Sequence, residues 1–329
     1  MGTMNKSRQP KVVLLILALA CATISAAASP AHDGASPKSG FITTPDGVKI
    51  HYLEAGKTKV AFAGAVGHPT PTDATMTKGE VSLESPHRFT SILFVPGWTM
   101  PAWIWEKQIE YFSDDWRVVA MDPRAQGDSS KNGRDYTPAA HARDIKAVID
   151  RLKLGPVVLV GWSLAVTDIA SYIDQFGTGS LNGIVLVDGI AGSDPGQIPQ
   201  GIHEFIESMK SDRQKQTADF VRSMFRKPQT EEYLARLAKA SLEMPSGPAI
   251  EAITAAWAAD NRAALAKIDK PTLIVGAQSP FVPRYQDMHR RIPTSRIEIF
   301  EGVGHALFVD DADRFNGLLE DFLFDIQER

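Results

Sequence analysis

The sequence predicts an α/β protein with one mostly parallel central sheet, helices on both faces and an inserted helical cap. Between Ser91 and Val187, short apolar runs alternate with segments of helical periodicity, which is typical of parallel strands joined by crossover helices. From about Ser193 to Leu265 the spacing is helical without a clear strand, and the alternation resumes at Thr272. One sheet with a helical insertion explains this order better than two independent domains.

The predicted elements are short and separated by turn residues. A hairpin comes first, with strands at Phe41–Thr44 and Val48–Leu53 around the turn Pro45–Gly47. Thr137 is expected to N-cap a helix that has Pro138 at its first position. The other predicted strands are 92–95, 118–121, 157–160, 184–187, 272–275 and 297–300, and the predicted helices are 103–112, 138–152, 164–176, one near 284 and one from 311.

The composition is that of an ordinary globular protein, with 43% hydrophobic and 22% charged residues in a chain of 329. A formal charge of −4 without a long basic run argues against a nucleic-acid partner. The sequence has no phosphate-binding GxxxxGK(S/T) loop, no dinucleotide-binding GxGxxG motif and no HExxH or Cys/His metal motif. We therefore expect no cofactor and no metal, and a small-molecule partner.

The N-terminus has the pattern of a signal peptide over residues 1–28. Three basic residues precede the apolar run Val12–Ala20, and Ala26–Ala28 forms an A-x-A cleavage signal before Ser29. A membrane anchor is the alternative, although the apolar stretch is at the short limit of the roughly 20 residues that span a bilayer. The prediction is an exported protein, periplasmic or secreted, without stable membrane insertion after cleavage.

Cys21 is the only cysteine and lies inside this segment. Lipid attachment at Cys21 is a second alternative, weakened because Ala18–Ala20 is a poor match to the usual leucine-small-small sequence. Cleavage after Ala28 would leave no cysteine for disulfides or thiol catalysis, and would lower the formal charge from −4 to −7. The mature chain is then divided into a linker (29–40), a first core part (41–192) with an insertion at about 57–88, a cap (193–265) and a second core part (266–329).

A candidate nucleophile stands at the end of the predicted strand 157–160. The string Gly161-Trp162-Ser163-Leu164-Ala165 leads directly into a helix, which places the serine on a sharp turn with the helix N-terminus behind it. Small flanking residues are required because the strand and helix backbones nearly touch. The alternative is a serine that only caps the helix.

A candidate general base lies near the C-terminus. His305 ends the segment Gly302–His305, which follows the strand 297–300 and precedes the last helix. The carboxyl ends of parallel strands carry the reactive groups of such sheets, so this loop can bring His305 to Ser163. The remaining histidines lack this context: His32, His51, His68, His87, His141, His203 and His289.

These motifs resemble the α/β-hydrolase family, and the likeness runs from about Phe41 to the C-terminus. Val95–Trp98 resembles the HGW oxyanion segment and Asp122–Ser129 the D-x-R-G-x-G-x-S loop, closest to bacterial esterases and cofactor-free perhydrolases. The resemblance implies that the backbone amides of Trp98 and Leu164 hold the oxyanion. The Asp122 loop is expected to be structural rather than catalytic.

The acid of the triad departs from the commonest family pattern. Ser279 stands where related esterases carry an aspartate, within Gly276–Pro283. Asp188 directly follows the strand 184–187, a position that certain haloalkane dehalogenases use for their acid, and we assign it as the acid. The alternatives are Asp194, Asp310 and Asp311, with Asp168 a weaker candidate because it lies inside a helix.

The predicted function is that of a serine hydrolase, with Ser163, His305 and Asp188 cleaving a carboxylic ester or lactone. An apolar pocket is expected from large side chains, several of which could instead belong to the core. The predicted pocket residues are Trp98, Trp162, Phe205, Phe220, Phe225 and Trp257, and Trp103 is equally consistent with the core. The alternatives are a slow binding or sensor protein on the same fold, and a perhydrolase or C–C bond hydrolase.

Overall fold

The computed structural model describes residues 36–56, 91–193 and 198–328. Within this part of the chain, eight strands form one sheet in the order β1-β2-β4-β3-β5-β6-β7-β8. The strands are β1 Lys38–Thr43, β2 Lys49–Ala55, β3 Ser91–Val95, β4 Arg117–Met121, β5 Val157–Trp162, β6 Leu181–Val187, β7 Thr272–Ala277 and β8 Ser295–Phe300. Strand β2 runs antiparallel to both of its neighbours, and the other pairs are parallel. The predicted mostly parallel sheet is confirmed.

Helices connect the strands and form the segment between β6 and β7. They are α1 Glu106–Phe112, α2 Pro138–Leu152, α3 Leu164–Phe176, α4 Gln200–Ser211, α5 Arg213–Ser223, α6 Glu231–Glu243, α7 Ser246–Ala258, α8 Arg262–Leu265, α9 Val282–Arg291, α10 Leu307–Asp310 and α11 Ala312–Gln327. Thr137 caps α2 as expected, its hydroxyl accepting a hydrogen bond from the amide of Ala140. The predicted helix over 103–112 is instead a 3₁₀ turn, Ala102–Trp105, followed by α1.

The core lies on both faces of the sheet. Along β5, Val158 and Val160 pack on the face covered by α1 and α11, whereas Val157 and Leu159 pack on the face covered by α2, α3 and α9. All four valine and leucine side chains are fully buried. Successive side chains of a strand point to opposite faces, so a strand covered on both sides has a continuous apolar run rather than an alternating one.

We call helices α4–α7 the cap. A third apolar cluster joins this cap to the loop after β3, with Trp98 packed among Met209, Met244 and Ile253. An isolated bridge between Gly192 and Asp260 brings together the two ends of the cap segment. The cap therefore sits over the carboxyl ends of the parallel strands.

The loop after β4 is held by buried charged groups. Arg124 is completely buried and makes two hydrogen bonds of 2.7 Å to the two carboxylate oxygens of Asp144 on α2. Burial alone would lower the pKa of Arg124, but the hydrogen bonds and charge of Asp144 raise it above its ordinary value. The buried ion pair thus joins the loop after β4 to α2.

One predicted boundary differs from the structure, and several other predictions fall outside the described residues. The linker predicted to run to residue 40 is shorter, because β1 begins at Lys38 and pairs with β2 as far as Glu54. The predicted signal peptide, Cys21, the insertion at 57–88 and Asp194 lie outside the described residues. Among the residues that are described, no helix is long and apolar enough to cross a membrane.

Candidate active site

Ser163 occupies a strained turn between β5 and α3. Its φ of 60° and ψ of −121° lie in a region that L-residues rarely adopt. A Cβ added at Gly161 would lie 3.2 Å from both the Cβ and the backbone oxygen of Ala165 on α3, so the strand and helix leave little room for a larger residue there. Ser163 makes no side-chain capping hydrogen bond to α3. The capping alternative is therefore wrong, and the hydroxyl is left for another partner.

That partner is His305, on the loop between β8 and α10. His305 Nε2 lies 2.8 Å from Ser163 Oγ, and His305 Nδ1 lies 2.6 Å from Asp188 Oδ2. The ring packs beside Trp162, with 5.0 Å between ring centroids, and the Trp162 indole N–H donates to the His305 carbonyl oxygen at 2.9 Å. Both contacts hold the histidine loop against the end of β5.

Asp188 directly follows β6 in a backbone conformation with a φ of 42°. Its Oδ1 accepts hydrogen bonds from the Ala277 amide at 2.6 Å and from the Tyr285 hydroxyl at 2.8 Å. The Asp188 side chain is only 6% exposed, so these donors replace the water that a buried carboxylate has lost. The buried carboxylate is thus fully hydrogen-bonded and faces His305.

The other candidate acids that the structure describes have different partners. Asp310 accepts from the amides of Gly304 and Arg226, and so supports the histidine loop from behind. Asp311 forms an ion pair with Lys227, and Asp168 lies 3.1 Å from His141. Ser279 accepts a hydrogen bond from the amide of Phe281 at 3.2 Å. Of these groups, Asp188 is the one within hydrogen-bond distance of His305.

The segment after β3 passes close to the candidate nucleophile. A Cβ added at Gly97 would lie 2.8 Å from Ser163 Cβ. Trp98 and Leu164 both line the cavity above Ser163. An oxyanion site needs backbone amides that point at the developing negative charge on the oxygen, and this role of the two amides stays a prediction.

Gln126 braces this segment, a contact that the sequence analysis missed. Its side-chain oxygen accepts from the Thr99 amide at 2.6 Å, and its Nε2 donates to the carbonyls of Gly97 and Met100 at 3.2 Å each. Gln126 is 2% exposed, and Thr99 has a φ of 61°. The loop that carries Trp98 is therefore held in an otherwise unfavourable conformation by one buried amide side chain.

A cavity of about 490 Å³ opens above Ser163, between the cap and the sheet edge. Three aromatic rings form its apolar wall: Trp98 lies 5.6 Å from Phe205 and 5.5 Å from Phe220, centroid to centroid. The Trp98 indole N–H donates to the Ala249 carbonyl on α7 at 2.7 Å. Trp257 also lines the cavity. Four of the predicted pocket residues thus border the same space.

Trp162 and Phe225 do not line this cavity, which corrects their prediction as pocket residues. Trp162 is 1% exposed and packs in the core beneath the histidine loop, against Phe308. Phe225 packs against Tyr233 and the same core. Trp103 lies elsewhere too, with the Arg236 guanidinium 3.7 Å above its ring. The sequence does not distinguish an aromatic residue that lines the cavity from one that packs in the core, because tertiary packing determines the direction of its side chain.

The cavity lining is almost uncharged. Among the described residues that line it, Asp188 and His305 are the only acidic or basic side chains, and both belong to the hydrogen-bond chain. The remaining polar side chains at the lining include Gln278, which is exposed, and Ser279, which is half-buried. A charged group bound here would lose its hydration without gaining an ionic partner, which is unfavourable.

Comparisons with known proteins agree with this fold. A model of the alpha/beta hydrolase family matches residues 92–318, more than half of the chain. The chain is 25% identical over 283 residues to AB hydrolase superfamily protein YisY of Bacillus subtilis (strain 168), spanning 83% of this chain and 98% of that one. It is 26% identical over 249 residues to a putative non-heme chloroperoxidase of Synechocystis sp., spanning 70% and 90%.

A solved structure gives the same picture. An esterase from Exiguobacterium antarcticum superposes with a TM-score of 0.73 at 23% sequence identity, covering 87% of this chain and 99% of the esterase. At that identity the likeness concerns the fold. The family model, which matches more than half of the sequence, shows that the chain belongs to the alpha/beta hydrolase family.

Proposed function

We propose that the protein is a serine hydrolase that cleaves an uncharged carboxylic ester or lactone through an acyl-Ser163 intermediate. The observation that carries the proposal is the continuous hydrogen-bond chain from Ser163 Oγ through His305 to Asp188, which opens on an apolar cavity. A serine hydroxyl is a weak nucleophile until an adjacent base accepts its proton, and this chain provides that base.

The first half of the reaction forms the acyl-enzyme. His305 Nε2 accepts the Ser163 proton as Oγ attacks the ester carbonyl carbon, and the tetrahedral oxyanion is held by the amides of Trp98 and Leu164. Each such donor contributes about 3 to 4 kcal/mol in comparable sites. Asp188 keeps the proton on His305 Nδ1 and balances the imidazolium charge. His305 then gives its Nε2 proton to the departing alcohol oxygen, and the C–O bond breaks.

The second half hydrolyses the intermediate. A water molecule gives a proton to His305 Nε2 while its oxygen attacks the acyl carbon, and the collapse of the second tetrahedral intermediate returns the proton to Ser163 Oγ. The product acid leaves and the resting hydrogen-bond chain is restored. For a lactone the alcohol and acid stay in one molecule, and the same steps open the ring.

The cavity supports an apolar, uncharged substrate. Its wall of Trp98, Phe205 and Phe220 favours an alkyl or aromatic group, and removal of apolar surface from water contributes about 25 cal/mol per Å². A volume of about 490 Å³ falls within the range of small-molecule sites. Charged peptides are expected to be poor substrates, because the lining residues described offer no ion pair outside the triad.

Hydrolysis of p-nitrophenyl esters from acetyl to octanoyl tests the proposal. The wild-type protein is compared with Ser163→Ala, and with Ser279→Ala as a matched control that removes a neighbouring hydroxyl. We expect turnover to be lost in the first variant and retained in the second, with chain length reporting the size of the pocket. Absence of turnover of every ester and lactone by folded wild-type protein would contradict the proposal, and would favour a binding or sensor role.

A second candidate activity is peroxide-dependent acyl transfer. The similarity to a putative non-heme chloroperoxidase supports it, because the same acyl-serine could be attacked by hydrogen peroxide instead of water. Halogenation of monochlorodimedone in the presence of acetate, bromide and peroxide measures this activity. A rate above that of Ser163→Ala would support the second candidate alongside ester hydrolysis.

We also propose that the protein is exported. The support is the N-terminal pattern of basic residues, an apolar run and Ala26–Ala28. Cell fractionation followed by N-terminal sequencing tests it, with Ser29 expected as the first residue of the exported form. Recovery in the membrane fraction that is abolished by Cys21→Ser would instead indicate lipid attachment.

A further inference from the structure

The two oxygens of the Asp188 carboxylate have different partners. Oδ2 faces His305 Nδ1, whereas Oδ1 accepts from the Ala277 amide and the Tyr285 hydroxyl. The amide belongs to the neighbouring strand β7 and is part of the backbone. Tyr285 is therefore the side chain that determines how the second oxygen is held.

Tyr285 is built into this position. It lies in the second turn of α9 and is 2% exposed. A Cβ added at Gly276 would lie 2.3 Å from Tyr285 Cδ2 and 2.4 Å from Cε2, so the ring packs against a backbone position where glycine leaves the room. The glycine of the family-like string Gly276–Pro283 thus has a physical reason in this chain, which is to admit the tyrosine ring.

The hydroxyl of Tyr285 is constrained to donate to Asp188. Burial raises its pKa far above the ordinary value for tyrosine, and the negative charge of Asp188 and the hydrogen bond between them raise it further. The neighbouring Ser279 hydroxyl, at the position where related esterases carry the acid, acts in the opposite direction and lowers the pKa of Tyr285.

Asp188 needs such a brace because its backbone is strained. Its φ of 42° is unfavourable for an aspartate, and a Cβ on the next residue, Gly189, would lie 2.2 Å from the Ser163 carbonyl oxygen. The chain here fits tightly between the nucleophile turn and β7. A rotation of the carboxylate about its χ angles would remove Oδ2 from His305, and a donor on Oδ1 opposes that rotation.

We propose that Tyr285 is a positioning residue for the relocated acid, holding the Asp188 carboxylate in the rotamer that orients His305 toward Ser163. The inference rests on the proposed function, since it assigns a role within the proposed triad. Tyr285 also borders the cavity, but its hydroxyl donates to Asp188, so the effect of that hydroxyl on the reaction passes through Asp188 and His305.

Tyr285→Phe tests this directly, because it keeps the ring over Gly276 and removes only the hydroxyl. Loss of a hydrogen bond to a charged group corresponds to a fall of about 10- to 100-fold, which we expect in kcat. We expect KM for the best p-nitrophenyl ester to change less than about twofold. Tyr172→Phe is the matched control: it removes another buried tyrosine hydroxyl, on α3 and outside the cavity lining, and should leave kcat unchanged.

A double-mutant cycle separates positioning from general packing. In an Asp188→Asn background, Tyr285→Phe should lower kcat by less than about twofold, because the group through which it acts is already neutralised. Melting temperatures of all variants establish that the fold is retained. An unchanged kcat in Tyr285→Phe, or an equal fall in both backgrounds, would overturn the inference.

The outcome is distinct from failure of the proposed function. If the wild-type protein lacks ester turnover and Ser163 does not react with a fluorophosphonate probe, the serine hydrolase itself is refuted. If the wild-type protein is active and Ser163→Ala is inactive, but Tyr285→Phe behaves as wild type, only the role of Tyr285 is refuted.

Discussion

Within the part of the protein that the structure describes, two Ser-His-Asp hydrogen-bond chains have matching interatomic distances. In the candidate active site, His305 lies 2.8 Å from Ser163 and 2.6 Å from Asp188. Near the sheet edge, His51 lies 2.8 Å from Ser39 and 2.6 Å from Asp122. Side-chain types and distances alone therefore do not distinguish the two.

The backbone around the serine does distinguish them. Ser163 sits on a turn with a φ of 60° and precedes the 13-residue helix α3, whose N-terminus favours developing negative charge. Ser39 is the second residue of the extended strand β1, with no helix behind it. The Gly97 segment also approaches Ser163 and not Ser39. Among the described residues, one serine has a setting for an oxyanion and the other has not.

The acids differ in what else they hold. Asp188 receives two further donors on Oδ1, and both keep it aimed at His305. Asp122 accepts from the amides of Ala102 and Asp128 as well as from His51, so it ties three separate segments together. Under the proposed function, the same three side-chain types serve catalysis in one setting and hold chain segments together in the other. The predictions below test that division, from the largest effect to the smallest.

Ser163→Ala should abolish turnover, with a fall of at least about 10⁴-fold, because the acyl-enzyme can no longer form. A fluorophosphonate probe should label the wild-type protein and Ser39→Ala equally, and should not label Ser163→Ala. Mass spectrometry of the labelled peptide measures this. Label on the Ser39 peptide would show that the Ser39-His51-Asp122 hydrogen-bond chain is also reactive. The two chains would then no longer differ in reactivity.

Asp188→Asn should lower kcat by about 10³- to 10⁴-fold while the protein stays folded, because the imidazolium loses its balancing charge and the tautomer is no longer enforced. Steady-state kinetics with the best ester and a melting curve check both parts. Activity within tenfold of wild type would move the acid to another carboxylate.

Asp122→Asn should have the opposite effect to Asp188→Asn: it should lower stability and leave kcat nearly unchanged. It removes charge from a buried group that accepts three hydrogen bonds, so we expect the free energy of unfolding to fall by about 2 to 4 kcal/mol. The kcat of the protein that remains folded should change less than about threefold. Urea denaturation and active-site titration measure the two quantities. A large loss of kcat without a loss of stability would contradict the role of Asp122 in holding chain segments together.

Gln126→Met should lower kcat by about tenfold with little change in KM. The loop that carries the Trp98 amide loses its hydrogen bonds to residue 126, whereas a methionine side chain keeps about the volume of the glutamine. Inhibition by a boronic acid, which mimics the tetrahedral intermediate, should weaken in parallel, whereas binding of the product acid should not. Equal weakening of both ligands would indicate a general distortion of the cavity instead.

Ser39→Ala should have the smallest effect. Its hydroxyl is on an exposed residue of the edge strand, so we expect the free energy of unfolding to change by less than about 0.5 kcal/mol, and kcat to be unchanged. Thermal unfolding and ester hydrolysis check it. A measurable loss of activity would link the Ser39-His51-Asp122 hydrogen-bond chain to catalysis.

The sequence by itself determined the order of strands and helices, because short apolar runs, turn residues and the Thr137 cap act over a few neighbouring residues. It also singled out Ser163, Asp188 and His305, since each directly follows a predicted strand or its loop. The carboxyl ends of parallel strands converge on one edge of the sheet, so positions along the chain predict proximity in space.

Only the tertiary structure decided which side chains surround these three. Tyr285 reaches Asp188 across 97 residues of sequence, and Gln126 reaches the Gly97 loop from a different connection. Trp98 faces the cavity while Trp162, equally aromatic and next to the nucleophile, faces the core. The direction of a side chain depends on the space left by elements distant in sequence. Local patterns therefore predict the strand, helix or loop in which a residue lies, whereas tertiary packing determines what its side chain contacts.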